Sequence, residues 1–207
     1  MGESSTLSEL LGCEGVVEHC ELRSSRVGFL SLHGGLEATT FEIAFEAARR
    51  SGASLYAVVQ PDDLRWHVPS QRFAPEQSSR LDAFCAHVET AISLHGYGGL
   101  VDSDERWTTV VIGGGDRKAA SRLAASLRAA LPDYTFVDDL DAIPARYRGV
   151  HSANPVNRTR GGGVQLELSP RIRGNSPVWA ETPRNEHNFV PVTETLVETL
   201  ATFARTL

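Results

Sequence analysis

The chain has 207 residues, a formal net charge of −6, and a composition that is 41% hydrophobic and 22% charged. That is ordinary for a soluble globular protein, and the length suits one domain spanning residues 1–207. An acidic chain gives no general footprint for nucleic acid. No apolar run approaches the roughly 20 residues needed to span a bilayer, so neither nucleic acid nor membrane is an expected partner.

The opening MGESSTLSELLG lacks the basic start and apolar segment of a secretory signal. Met1-Gly2 with Thr6 meets only the loose myristoylation pattern. Cys13, Cys20 and Cys85 are odd in number and show no C-x-x-C spacing, which argues against a disulfide framework and a cysteine zinc site. A cytoplasmic location, with release by lysis as a variant, is the expectation.

In chain order, Gly15 to Leu22 reads as a strand, and Arg26 to Leu32 as a buried strand that ends at His33-Gly34-Gly35. Thr39 and Thr40 can cap a helix that carries Ile43, Ala44, Ala47 and Ala48 and stops near Gly52. Leu55 to Val59 is a short strand. Residues 60–77, with Pro61, Pro69 and Pro75, form an irregular segment long enough to be functional. Ser78 and Ser79 precede a helix with Leu81, Phe84, Cys85, Val88 and Ile92 at three-and-four spacing, and Cys85 reads as a small core residue. Ile92 to Gly96 then forms a strand edge.

Trp107 to Ile112 is a strand that empties into Gly113-Gly114-Gly115. Asp116 caps a helix with Leu123, Leu127 and Leu131 on one stripe. Tyr134 to Val137 and Val164 to Leu168 are further strands. The chain closes on an amphipathic helix with Pro191 in its first turn and Val192, Leu196, Leu200, Phe203 and Leu207 inward. The alternation predicts an α/β fold: an open, mostly parallel (mixed) sheet with helices on both faces.

Open α/β sheets bind ligands beyond the C-terminal ends of their strands. Four glycine-bearing loops are expected there: those at His33, at His95, at Gly113 to Gly115, and at the approach to Val164. Two begin with histidine, and Glu37 follows His33 by four residues. His33, Glu37 and His95 thus make two imidazoles and a carboxylate, a catalytic zinc set with a fourth position left open. One Zn2+ per chain is expected. In GVQLELS, Gln165, Glu167 and Ser169 share the face opposite Val164, Leu166 and Leu168. A carboxylate buried in mid-strand needs a partner, which suggests Glu167 as general base; the alternative is an edge strand with Glu167 in solvent. From His151 to Gly174 the only acid is Glu167, against Arg158, Arg160, Arg171 and Arg173, and Arg146 and Arg148 lie just upstream. This concentration fits either an anion-binding surface or a solvated basic loop.

The segments HGGLEATTFEIA, SLHGYGG, VVIGGGDR and NRTRGGGVQLELSPRIR resemble, in that order, the blocks of phage-type poly-γ-glutamate hydrolases, and WHVPSQRF resembles a block between the first two. The resemblance spans about Arg26 to Arg173. It implies a compact, zinc carboxypeptidase-like enzyme that cleaves γ-glutamyl amide bonds, with His33, Glu37 and His95 on zinc and Glu167 catalytic. It also implies that Arg158, or its neighbour Arg160, holds a substrate carboxylate or the oxyanion. Asn157, Arg171 and Gly114, the last in a tight turn beside the site, complete the expected contacts with an anionic small-molecule or polymeric γ-glutamyl substrate. The loop between the second glycine and Glu37 is one residue shorter than the family's, so the reach of Glu37 is the point to check.

Other readings are weaker. His19, His87 and His187 read as structural, and His67 and His151 as polar lining of the site loops. The glycine run lacks the third glycine of G-x-G-x-x-G, and no P-loop or G-x-S-x-G occurs. Two alternatives stay open: a zinc amidase acting on another small acidic amide or cell-wall peptide, and a non-catalytic binding protein that retains the fold.

Overall fold

The structure is a computed structural model and describes residues 6–98 and 107–207. Met1 and Gly2 of the myristoylation pattern, and Gly99 of SLHGYGG, lie outside the described residues. The strands are β1 (Val17–Glu21), β2 (Val27–Gly34), β3 (Ser54–Val59), β4 (Thr90–Gly96), β5 (Thr109–Gly113), β6 (Thr135–Val137) and β7 (Gly163–Leu168). They form one sheet in the order β1-β3-β2-β4-β7-β5-β6. β2 runs parallel to β3 and β4, β4 to β7, and β5 to β6. β1 is antiparallel to β3, and β5 to β7, so the sheet is mostly parallel and mixed, as expected.

The helices are α1 (Leu7–Leu11), α2 (Thr40–Ser51), α3 (Ser79–His87), α4 (Arg117–Ala130) and α5 (Pro191–Ala204). Phe29, Leu94, Ile112, Leu166 and Leu168 pack with α2, α4 and α5 on one face. Leu30, Leu32, Tyr56 and Val58 pack with α1 and α3 on the other. Coverage on both faces explains why β2 is apolar along almost its whole length and all eight of its residues are buried. Truncating one such leucine to alanine costs roughly 2–5 kcal/mol. Among the described residues no helix is long and apolar enough to cross a membrane.

Several local expectations change. α1 was not anticipated, although Thr6 and Glu9 form the reciprocal capping box that the T-x-x-E spacing signals. Ile92 belongs to β4, because α3 ends at His87. Leu207 lies past α5 and is exposed. Thr39 occupies the cap position of α2 at φ 72° and makes no side-chain capping bond.

Because β5 opposes β7, Gly113 pairs with Gln165, and the chain leaves toward the start of β7. There the Asp116 N–H donates to the Gly163 carbonyl at 3.0 Å. Gly113 to Gly115 and the approach to Val164 therefore sit at the opposite end of the sheet from His33 and His95. Only two of the four glycine loops share the expected end.

Candidate metal centre

The helices on the α1/α3 face cover β1, β3 and β2. Over β4 and β7, loops from residues 67–71 and 145–154 replace them and leave a cleft of about 730 Å³. Alternation along the strands turns His95 and Glu167 into it. These two residues are register partners on β4 and β7, and both are buried.

His33 arrives by a different device. β2 carries one extra residue against β3 between Ser31 and Gly34, the kind of bulge that re-aims a side chain. The ring packs against those of Phe73, His67 and His95. Gly35 then turns at φ 77°, where a Cβ would collide with the Gln60 carbonyl. The Glu37 N–H donates to the His33 carbonyl at 2.8 Å. This tight return answers the question of the shortened loop: Glu37 Oε1 stands 2.9 Å from His33 Nδ1, and Oε2 stands 3.5 Å from His95 Nδ1.

The outer partners orient the set. His33 Nε2–H donates to the Val68 carbonyl at 2.8 Å, and Ser93 Oγ lies 3.1 Å from His95 Nε2. Each ring thus turns Nδ1 inward, and the two Nδ1 atoms stand 3.2 Å apart. Ligand atoms on a tetrahedral ion with bonds of about 2.0–2.1 Å stand roughly 3.3 Å from one another. The observed separations fit that shell, and the second-shell bonds are those that metal-ligating histidines use. His67 also offers a ligand atom, within 4.8 Å of those of His33 and Glu37, so a His33–Glu37–His67 group could hold a metal as well. His95, with Nδ1 at 3.2 Å from His33 Nδ1 and 3.5 Å from Glu37 Oε2, is buried, whereas His67 is exposed.

The electrostatics agree with a site for positive charge. Burial opposes a charged His33, but Glu37 outweighs it and raises the imidazole above its ordinary value. Burial likewise opposes a charged Glu37, and His33 and His95 outweigh it and hold the carboxyl far below the usual range. Glu167 behaves in the opposite way: burial, and then the nearby Glu37 charge, push it well above an ordinary carboxylate. Gln165 Nε2–H donates to Glu167 Oε1 at 2.8 Å, and Asn154 Nδ2–H donates to Gln165 Oε1 at 2.7 Å.

The structure does not bring the other expected contact residues to the cleft. Arg158 pairs with Glu76 at 2.9 Å on the α3 side. Arg160 is 77% exposed beside Glu89, just before β4. Both precede β7, which climbs toward the cleft at about 3.3 Å per residue and leaves them at its base. Gly114 is at that same base. Asn157 fastens loops there, accepting from the Gly115 N–H and donating to the carbonyls of Gly149 and His151. Arg171 lies against Trp179. The cleft is instead lined by Arg146, Tyr147 and Asn154, along with Gln71 and the expected His67 and His151. Sequence reading placed Arg146 only at the upstream edge of the arginine concentration and Gln71 only within WHVPSQRF, and it gave Tyr147 no role. Arg173 is buried behind Gly96 and donates to the carbonyls of Leu168, Ala38 and Tyr97. It ties together the three chain segments that follow β7, β2 and β4.

A family model described as Poly-gamma-glutamate hydrolase matches residues 14–195. Among solved structures, a bacteriophage poly-gamma-glutamate hydrolase superposes with a TM-score of 0.73 at 22% identity, covering 94% of this chain and 91% of its own. YNDL in its zinc-free apo form superposes with a TM-score of 0.72 at 23% identity, covering 91% of this chain and 88% of its own. These likenesses show the fold. No curated protein matches this chain.

Proposed function

The chain belongs to the poly-gamma-glutamate hydrolase family, and on that premise we propose that it is a zinc-dependent hydrolase cleaving the γ-glutamyl amide bonds of poly-γ-glutamate. The observation that carries the reading is the convergence of two imidazole Nδ1 atoms and one carboxylate beside a second, buried carboxyl.

His33 Nδ1, Glu37 and His95 Nδ1 would hold the ion. Two imidazoles and a carboxylate are a donor set that catalytic zinc accepts with a position left open. YNDL is described as zinc-free in its apo form, which supports zinc as the ion. When bound, zinc polarises an amide carbonyl and lowers the pKa of water toward neutrality. The remaining chemistry belongs to the chain. Val68 and Ser93 fix the two rings. The raised proton affinity of Glu167 suits general acid–base work near neutral pH. As the oxygen of water bonds to the amide carbon, Glu167 takes a proton from it. As the carbon–nitrogen bond breaks, Glu167 delivers a proton to the departing amine. Gln165 holds Oε1 and leaves Oε2 without a partner among the described residues.

Metal analysis of purified protein together with product sizing after incubation with poly-γ-glutamate tests the reading. About one zinc per chain and shortened polymer are expected. No metal at neutral pH after zinc supplementation sinks the enzyme reading. Zinc-loaded protein that leaves the polymer intact moves the substrate to another acidic amide.

A further inference from the structure

Arg146 stands on the cleft wall, in a 3-10 turn at Ala145–Tyr147. It is the one lysine or arginine lining the cleft among the described residues. Its guanidinium lies over the Tyr147 ring, 4.7 Å from the centroid. Tyr147 in turn packs on Tyr97, with centroids 5.7 Å apart. Tyr97 follows His95 by two residues, and its hydroxyl donates to the Thr109 carbonyl. The charge is thus carried on a braced aromatic stack that leads back to the strand end bearing His95.

The acids that share the cleft are already engaged. Glu37 is held by His33 and by the Gly96 N–H at 2.8 Å, and Glu167 is held by Gln165. Among the described residues no carboxylate pairs with Arg146. By contrast, Arg158 has Glu76, and Arg128 has Asp138. A permanent cation stacked on an aromatic face and left without an acid is suited to a planar anion presented by a ligand.

Poly-γ-glutamate presents such an anion at a fixed place. The nitrogen of each γ-glutamyl amide is attached to a carbon that carries a free α-carboxylate. Every scissile bond therefore has a carboxylate two bonds from its leaving nitrogen. We propose that Arg146 is the binding residue for this α-carboxylate, so that Arg146, rather than Arg158 or Arg160, selects γ-linked glutamate. This rests on the reading of the cleft as a γ-glutamyl hydrolase site.

The test is steady-state hydrolysis of poly-γ-glutamate by the zinc-loaded wild type, Arg146→Gln, Arg146→Lys and Arg122→Gln, with zinc content measured for each. Arg122 lies at the distant groove between α4 and α5 and controls for a general loss of positive charge. Arg146→Gln is expected to raise KM roughly 10- to 100-fold, the usual worth of a hydrogen-bonded charged contact, with kcat and zinc content little changed. Arg146→Lys should recover part of the loss, and Arg122→Gln should match wild type. Partial methyl esterification of the polymer's α-carboxylates should weaken wild type and leave Arg146→Gln with little more to lose. Wild-type cleavage with an unchanged KM in Arg146→Gln overturns the assignment of Arg146 alone. No cleavage by zinc-loaded wild type overturns the reading beneath it.

Discussion

The two ends of β7 are built from similar residues and do different things. At its C-terminal end lie His33, Gly34, Gly35, His95, Gly96 and Glu167. At its start lie Gly113 to Gly115 and the run from Asn157 to Gly163. Both ends are rich in glycine and polar groups. At the start those groups consume one another. Asn157 accepts from Gly115 and donates to Gly149 and His151, Thr159 Oγ1 donates to the Gly162 carbonyl, Asp116 caps α4, and Arg158 pairs with Glu76. At the cleft end two imidazole nitrogens and a carboxylate are turned toward one point by bonds made behind them. A polar loop whose groups are all matched is architecture, whereas a buried set of acceptors aimed at each other calls for something more.

The contrast is strongest where cleft residues can be removed without unfolding the chain. His95→Ala should eliminate stoichiometric zinc and reduce hydrolysis to background, while circular dichroism stays that of the wild type. Retention of one tight zinc per chain would shift the third ligand to His67, whose ligand atom is also near. Glu167→Gln should keep zinc and lower kcat by roughly 10²–10⁴-fold, the usual contribution of a positioned acid or base. The same variant has an opposite effect on stability in zinc-stripped protein. Folded Glu167 keeps its proton above 4.5, the ordinary value at which the unfolded chain releases it. The unfolded state then binds fewer protons, so wild-type stability falls as pH rises through that range. Stripped Glu167→Gln should therefore resist urea better than stripped wild type at pH 7, and the gap should close as pH falls through 4.5. A gap that widens in acid would show that Glu167 is charged in the fold.

Much of this end was legible in the sequence. The apolar run of β2 ending in His33-Gly34-Gly35 located one loop, and two-residue alternation in GVQLELS put Glu167 on the face opposite Leu166. Alternation works there because β7 is buried on both sides. Strand direction was not legible: nothing in VVIGGGDR says that β5 runs against β7, and that one reversal moved Gly114 to the far end. Nor does an arginine-rich loop reveal at which end of the sheet it lies, because that depends on the direction of the strand it precedes. Arg146 showed in the sequence only as a cation just upstream of the arginine concentration, since its place on the cleft depends on Tyr147 meeting Tyr97, a contact about fifty residues apart in the chain.

At the start of β7 the expected effects pass from function to folding. Gly114 sits at φ 95°, and a Cβ there would collide with the Gly163 carbonyl. Gly114→Ala should cost roughly 2–4 kcal/mol from the left-handed backbone and the forced shift together. Urea titration reads that loss. The molecules that remain folded should bind zinc as wild type does, because the ligands stand at the other end of the strand. A variant of full stability with impaired zinc binding would reverse the roles given to the two ends.

The smallest effect is the most pointed. Resemblance to the family puts Arg158 on the substrate, whereas the structure pairs it with Glu76 beside α3. The pair is substantially exposed, so solvent screens it and it contributes little to stability. Arg158→Gln should therefore leave the urea midpoint nearly unchanged and change kcat/KM on poly-γ-glutamate by less than about twofold. A loss of a hundredfold or more in kcat/KM would mean that the loop before β7 reaches the cleft when substrate binds. The two ends of the strand would then form one site, and the distinction between them would describe only the substrate-free protein.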